Sequence, residues 1–328
     1  MTSALRAIRR KLAGLVNRDA PEYASFLSFV ACVILAVGSI GIGLAQHSLI
    51  VQTNGYITLI DIGNSLLFLT AVRRSSRNAD LTFNYGYGKY ESLAILASAT
   101  LLFVLTLFTF SEAIGVFRQP PDDRNISVLL VWSVVSFFVM RYTARRLEKS
   151  ARRFHMPMLH YDAELWRVDS WVEVIVVLGL LASGALQYFS SYGTAAIVDG
   201  VVSITLILVT VKVPLRHGRD AFRQLLDRTL PDEMQYEILA IIAENYHRMC
   251  EFRSVHTRQS GKDIFVEIDL VMPYDYTLEK LYETEKEILS GINAKFPTAL
   301  PRVYVTPCDK TCVNGTTACP VRQAMTSS

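Results

Sequence analysis

The sequence lacks the features of a disulfide-stapled protein and of a nucleic-acid-binding protein. Its five cysteines are an odd number without regular spacing, so no disulfide framework is predicted. The formal net charge is only +3, and the basic residues stand beside apolar runs rather than among aromatic ones, which gives nucleic-acid binding little support. No small-residue cleavage site follows the basic segment 1–18, so we interpret it as a helix on the membrane surface.

Catalytic motifs are also lacking. The C-terminal third has no nucleophile paired with a base, no glycine-rich phosphate loop and no pair of catalytic carboxylates, so we expect neither an enzyme nor a resident cofactor. Apolar residues are abundant instead: the hydrophobic content is 51% and the mean hydropathy is +0.28. The density of charged residues reaches that of an ordinary soluble protein only after about Arg216. We therefore expect a membrane part followed by a soluble part.

Six apolar runs approach the roughly 20 residues that a helix needs to cross a bilayer. The fourth run is short, and we expect Arg141 and Arg145 to lengthen it by reaching the interface with their charged heads. Lysine and arginine crowd alternate connections, which predicts an inner (cell) membrane protein with both termini in the cytoplasm. The six predicted spans are approximately residues 26–45, 55–72, 92–110, 126–140, 168–189 and 195–213.

The soluble part has an α-β-β-α-β pattern. The alternation Ile264, Val266, Ile268, Leu270 predicts a half-buried strand, and Thr277 is expected to cap a helix. This order is typical of a ferredoxin-like layer. The predicted elements are a helix over about 232–247, strands over 252–257 and 263–272, a helix to about 294 and a strand over 302–305.

The predicted fold class is therefore a multi-pass α-helical membrane protein with six transmembrane helices and a C-terminal α+β ferredoxin-like cytosolic domain. We expect four parts, each with its own role. They are a basic N-terminal segment (1–22), a transmembrane transport domain (23–215), a cytosolic dimerisation and regulatory domain (216–308) and a flexible cysteine-containing tail (309–328).

Four carboxylates fall within the predicted spans: Asp61, Asp169, Glu173 and Asp199. An ionised carboxylate costs roughly 2.5 kcal/mol or more at the bilayer centre, so each one needs a reason. Asp162, Asp169 and Glu173 recur at spacings of seven and four, which places them on one helix face. A polar row of this kind in lipid predicts an aqueous path.

Oxygen ligands also follow Asp61. Asn64 and Ser65 stand three and four residues after it, on the same helix face. Two facing helices would then form an oxygen-rich metal site from Asp61, Asn64, Ser65, Asp169 and Glu173. The alternative is that each acid pairs with a basic or hydroxyl group and only holds helices together.

Several motifs give the chain a family resemblance. They are DIGNS at 61–65, YGYGKYESLA at 85–94, LLDR at 225–228, HTRQSG at 256–261 and FP at 296–297. With them the chain resembles the cation diffusion facilitators, which are six-span, homodimeric metal exporters with a cytosolic ferredoxin-like domain. The resemblance implies a homodimer that exchanges a divalent cation for protons by alternating access, with Asp61 and Asp169 as metal ligands and proton carriers.

The sequence departs from the family pattern at the transport site. The family uses two ligand pairs spaced four residues apart, but Ile57 and Leu165 occupy the first position of each pair here. A tetrahedral zinc site is therefore absent, and the remaining oxygens favour harder cations such as Mn²⁺ or Fe²⁺ over Zn²⁺. A competing hypothesis is a paralogue that has lost transport and acts as a dimer partner or metal-responsive scaffold.

Several metal-ligand positions that the resemblance implies outside the transport site also lack a metal-binding residue. Asp80 remains in the second-to-third connection, whereas Phe83 and Tyr87 stand where the resemblance implies histidines. In the soluble part Asp269 fills one implied ligand position, and Tyr304 and Thr306 fill others.

Two further features concern the ends of the soluble part. The resemblance implies a structural ion pair between Lys89 and Asp227. Separately, Cys308, Cys312 and Cys319 form a thiol cluster with Asp309, which is either a soft-metal site or an inert tail.

Overall fold

The computed structural model describes residues 17, 19–45, 49–116, 126–188, 208 and 210–309. The chain divides into two compact units, Met1–Phe222 and Arg223–Ser328. The first five predicted spans fall on five long helices, whereas nearly all of the sixth span, and Asp199 with it, lies outside the described residues. The helices are α1 (Pro21–Ala45), α2 (Leu49–Ser75), α3 (Lys89–Val116), α4 (Ile126–Phe154), α5 (Pro157–Tyr188) and α6 (Lys212–Leu225).

Two of the described helices are apolar enough by themselves to cross a bilayer. They contain the segments Pro21–Ile42 and Lys89–Phe108, whose mean hydropathies are 2.3 and 2.0. The other long helices carry charged residues such as Asp61 in α2 and Asp169 in α5, which lower their mean hydropathy. The residues that the structure describes thus support two of the six predicted spans by composition.

Helices α4 and α5 extend beyond the predicted spans and form a tight hairpin. Helix α4 continues from the predicted end at Met140 to Phe154, and α5 starts at Pro157 rather than near Val168. Only His155 and Met156 connect them, and His155 has a φ of 53°, in the left-handed region that few non-glycine residues adopt. The two helices contact each other extensively. The hydropathy of the sequence predicted the apolar middle parts of α4 and α5 but not their amphipathic ends.

Contacts at the start of α5 fix the orientation of this helix about its own axis. The fully buried Glu91 of α3 accepts a hydrogen bond from the backbone N–H of Met158 at 3.4 Å, which satisfies one first-turn amide. Tyr161 packs edge-on against Phe68 of α2, with ring centroids 5.7 Å apart. The Tyr161 hydroxyl lies 3.3 Å from that of Ser98 on α3. These contacts determine which face of α5 points toward α2 and α3.

The second unit has the predicted α-β-β-α-β order, with a short 3₁₀ turn (Tyr246–Arg248) after the first helix. Strand β2 is central, antiparallel to β1 and parallel to β3. Its residues Ile264, Val266, Ile268 and Leu270 are buried as the alternation predicts, and Thr277 caps α8 by accepting from the N–H of Lys280. The elements are α7 (Asp232–Glu244), β1 (Glu251–Ser260), β2 (Asp263–Met272), α8 (Leu278–Lys295) and β3 (Ala299–Pro307).

The boundaries of these elements differ from the expected ones by a few residues. Helix α7 ends at Glu244 because the 3₁₀ turn follows, and β1 and β3 are longer than expected because both pair with β2 along its length. The expected domain boundary at residue 216 falls inside α6.

A close approach of α1 and α4 provides a stability test. A Cβ atom on Gly38 would clash with the ring of Trp132, whereas one on Gly41, a turn further along α1, would meet nothing within 4 Å. Gly38→Ala should destabilise the protein by about 1–3 kcal/mol, because the rigid indole must move. Gly41→Ala should be neutral or slightly stabilising. Thermal unfolding of the purified protein in detergent measures both, and equal midpoints for the two variants would contradict this packing.

Candidate functional site

Asp61 lies on the inward face of α2. Asn64, Phe68 and Val72, which share that face by helical spacing, are buried, while Leu66 on the opposite face is exposed. Asp61 itself keeps partial exposure. Asp61 is thus a half-buried carboxylate on a helix face whose other members are buried.

The acidic residues of α5 also lie on an inward face. Asp162, Trp166 and Ser170 are buried, whereas Trp171 on the far side of the helix is exposed. Asp169 is exposed although a seven-residue step returns it to nearly the same direction as Asp162. Asp169 thus lies on the same face of α5 as the buried Asp162 and is more exposed than it.

Helices α2, which carries Asp61, and α5, which carries Asp169, contact each other. The carboxyl group of Asp169 interacts electrostatically with those of Asp61, Glu173 and Asp162. At 1.5 Å of rise per residue, the row from Asp162 to Glu173 spans roughly 16 Å along α5. The structure thus brings the carboxylate of α2 next to the acidic row of α5.

Asn64 and Ser65 have different surroundings. Asn64 is 6% exposed, and its Oδ1 has no hydrogen-bond partner within the described part of the chain. The Ser65 hydroxyl lies 3.1 Å from the Sγ of Cys32 on α1 and is engaged there. Asn64 therefore offers a buried oxygen next to Asp61, whereas Ser65 links α2 to α1.

Asp162 and Glu173 are each held by a hydroxyl group. Ser28 of α1 donates to Asp162 Oδ1 at 3.3 Å and accepts from the indole N–H of Trp166 at 2.8 Å. Asp162 Oδ2 has no hydrogen-bond partner among the described residues. Glu173 forms a hydrogen bond with Ser133 of α4. Asp162 and Glu173, at the two ends of the row, thus have the hydroxyl partners expected of acids that only hold helices together. Among the described residues, no hydrogen bond reaches the carboxylates of Asp61 or Asp169.

The sequence reasoning missed the role of α1. Ser28 and Cys32 reach the site, and Cys32 interacts electrostatically with Asp61, Asp162 and Asp169. The signal was present: Ser25, Ser28, Cys32 and Ser39 recur at helical spacing in the first apolar run, which marks a polar seam.

Asp80 organises the connection between α2 and α3. Its Oδ1 accepts from the N–H groups of Thr82 and Phe83 at 2.9 and 2.8 Å, and its Oδ2 accepts from the Tyr87 hydroxyl at 2.7 Å. These bonds, the one from Tyr87 above all, hold the pKa of Asp80 below its ordinary value. The rings of Phe83 and Tyr87 pack together with centroids 4.6 Å apart. Asp80 thus has a local structural role, and its metal binding stays a prediction.

The predicted residues of the second unit are spread along its strands. Asp269 accepts from the Ser254 hydroxyl at 3.2 Å and stands opposite Tyr304 in the sheet register. Thr306 donates to the carbonyl of Leu270 and accepts from Arg253.

Cys308 is half-buried, and its backbone N–H donates to Met272. Cys312 and Cys319 lie outside the described residues, so the proposed thiol cluster stays a prediction.

Asp227 forms an ion pair with Arg258 at 3.2 Å inside the second unit. Its pairing with Lys89 stays a prediction. Within the described ranges, no three His, Cys, Asp or Glu side chains are grouped closely enough to hold a metal ion. A metal between Asp61 and Asp169 would accordingly need further oxygens, of which Asn64 Oδ1 is the nearest along α2.

Known proteins match the chain in two regions. Residues 25–226 match the family model of the cation efflux transmembrane domain, and residues 230–305 match that of the cytoplasmic domain of cation efflux proteins. The cation-efflux pump FieF of Escherichia coli O127:H6 is 30% identical over 258 residues, which cover 76% of this chain and 81% of the pump. FieF of Shigella flexneri serotype 5b matches with the same figures.

A solved chain of the transporter CzrB in its zinc form is 26% identical to this chain. The match covers 26% of this chain and 96% of the CzrB chain, with a TM-score of 0.24. A similarity of that TM-score carries no argument about the fold.

The hydrogen bonds of Asp80 generate a test by hydrogen–deuterium exchange. Asp80→Ala should make the amides of Thr82 and Phe83 exchange several-fold faster, because both lose their acceptor. Asn84→Ala, in the same connection, serves as the control and should leave them unchanged. Because the pKa of Asp80 is depressed, the protection should persist at neutral pH and be lost only on acidification through that pKa. Protection that appears only on addition of Mn²⁺ or Zn²⁺ would show instead that Asp80 is a metal ligand.

Proposed function

This chain belongs to the cation diffusion facilitator family of cation efflux transporters, and on that premise we propose that it exports a divalent cation in exchange for protons. The cation binds between α2 and α5. The observation that carries the proposal is the pair Asp61 and Asp169, two carboxylates that interact electrostatically and that each lie on a helix face shared with buried residues.

Charge balance explains how the two carboxylates transport a cation. Two ionised carboxylates close together in a bilayer repel each other and are poorly solvated. A divalent cation neutralises the pair, and so do two protons. Cation and protons therefore compete for the same oxygens, and loading one releases the other. Alternating access then carries the cation outward and the protons inward.

The ligand set favours a hard cation. Asp61, Asp169 and the Oδ1 of Asn64, which has no hydrogen-bond partner among the described residues, all offer oxygen ligands. Oxygen ligands suit Mn²⁺ and similar ions better than Zn²⁺, which prefers nitrogen and sulfur in a tetrahedral site. Ile57 and Leu165 supply no ligand where the family uses one. Mn²⁺ and Fe²⁺ are accordingly the proposed cargo in preference to Zn²⁺.

The proposed assembly is a homodimer in the inner membrane, with six transmembrane helices and both termini in the cytoplasm. The match of residues 230–305 to the cytoplasmic-domain model supports dimerisation through the second unit. The two apolar helices and the basic connections of the first unit support the membrane topology.

The absence of a three-residue metal group among the described side chains favours a second candidate, a transport-deficient paralogue that acts as a scaffold or dimer partner. Flux assays distinguish the two candidates. A scaffold gives no metal-dependent flux when reconstituted into liposomes, whatever the ion.

Asp61→Asn and Asp169→Asn should each lower the initial rate of proton-coupled Mn²⁺ flux in proteoliposomes by at least about tenfold. Each substitution keeps the side-chain volume but removes a charge that balances the cation and a group that carries a proton. Asp19→Asn is the control, because Asp19 forms an exposed ion pair with Arg153 that contributes little. Undiminished flux in either site variant would refute the assignment of that residue.

The double substitution Ile57→Asp/Leu165→His should raise Zn²⁺ flux relative to Mn²⁺ flux by about tenfold or more, because it restores four ligands of the kind that zinc prefers. Ile57→Leu/Leu165→Met is the volume-matched control and should leave the ratio unchanged. Both ratios are measured in the same proteoliposome assay. Wild-type protein that already transports Zn²⁺ faster than every harder cation would overturn the proposed preference.

A further inference from the structure

A basic cavity lies between α4 and α5, apart from the acidic row. Its volume is about 380 Å³, within the usual range of ligand pockets. Two alanines, Ala144 and Ala163, leave room between the helices. The charged lining residues are Arg141, Arg145, Glu148, Lys149, Arg152 and Arg167.

The cations of this cavity exceed the carboxylates that neutralise them. Glu148 is its one described carboxylate, and it already accepts from Arg152 at 2.8 Å. Arg167 pairs outside the cavity with Glu164 at 3.6 Å. Within the described residues, no carboxylate forms an ion pair with any of the other three cations, Arg141, Arg145 and Lys149. The cavity therefore has the charge of an anion-binding site.

An apolar strip leads into the cavity along the same face of α4. Val131, Val134 and Phe138 precede Arg141 at helical spacings of three and four residues. Val131 is 66% exposed and Phe138 is 65% exposed. In a transmembrane domain such a strip contacts acyl chains, so the ligand that fits both surfaces has an anionic head and an apolar tail.

We propose that this cavity binds the headgroup of an anionic phospholipid, with the phosphate held by Arg141, Arg145 and Lys149 and an acyl chain along Val134 and Phe138. Topology alone accounts for basic residues at this end of α4 but not for a cavity between two helices. Helix α4 continues past Met140 to Phe154, and Arg141 and Arg145 both line this one cavity.

Native mass spectrometry of the delipidated full-length protein tests this site, with phosphatidylglycerol and phosphatidylcholine as probes. Wild-type protein should retain phosphatidylglycerol at least tenfold more tightly than phosphatidylcholine. Arg141→Gln/Arg145→Gln should weaken phosphatidylglycerol binding roughly 30-fold, since each basic residue near a membrane surface contributes a several-fold factor. Arg146→Gln/Arg153→Gln removes the same charge from another face of α4 and should change binding less than twofold.

Further arms of the experiment separate the alternatives. Arg141→Lys/Arg145→Lys should retain binding within a few-fold, and Lys149→Gln alone should weaken it about fivefold, so one misfolded variant does not decide the result. Equal retention of the two lipids, or equal losses in the two double glutamine variants, would overturn the proposal. Displacement of phosphatidylglycerol by millimolar inorganic phosphate would overturn it in favour of a free-anion site. Lipid retention is measured without transport, so it stands or falls separately from the proposed exchange of cations for protons.

Discussion

The cost of enclosing carboxylates within a helical bundle governs the first unit. The carboxyl group of Asp169 interacts electrostatically with those of Asp61, Asp162 and Glu173, in helices that otherwise bury mainly apolar and polar uncharged side chains. An arrangement of four like charges is unfavourable unless hydroxyl groups, protons or a cation compensate. Ser28 and Ser133 compensate at the two ends of the row. No hydrogen bond among the described residues reaches the carboxylates of Asp61 or Asp169, which the proposed function leaves to be compensated by a cation or by protons.

Helix α1 provides the framework around this row. Its Ser28, Cys32 and Ser39 face α5, α2 and α4 in turn, each through a hydrogen bond to a side chain on the other helix. Small polar residues allow such close contacts because they combine a small volume with a hydrogen-bonding group. In the hydrocarbon region no water is present to bond these groups, so they bond to each other. The apolar appearance of α1 in the sequence conceals a helix that is polar along one seam.

Sequence patterns predicted the parts of the structure that depend on periodicity. The alternation from Ile264 to Leu270 predicted the central strand, and the spacing of Asp162, Asp169 and Glu173 predicted a shared helix face. They could not predict features that depend on contacts between distant segments, such as the link from Cys32 to Ser65 or the basic cavity. Hydropathy also ended α4 too early, because amphipathic turns such as those around Arg145 have no apolar signal. The family resemblance predicted metal binding by Asp80, whereas in the structure its carboxylate accepts hydrogen bonds from the N–H of Thr82 and the hydroxyl of Tyr87.

The two-residue turn at His155 and Met156 has a mechanical consequence. With so short a connection and a long shared contact, α4 and α5 are expected to move together as one unit. In the proposed transport cycle, a displacement of Asp169 relative to Asp61 would therefore also move Phe138 and Arg141, which lie on α4. The proposed transport cycle would then depend on the lipids around α4 as well as on the cation and the protons that it exchanges.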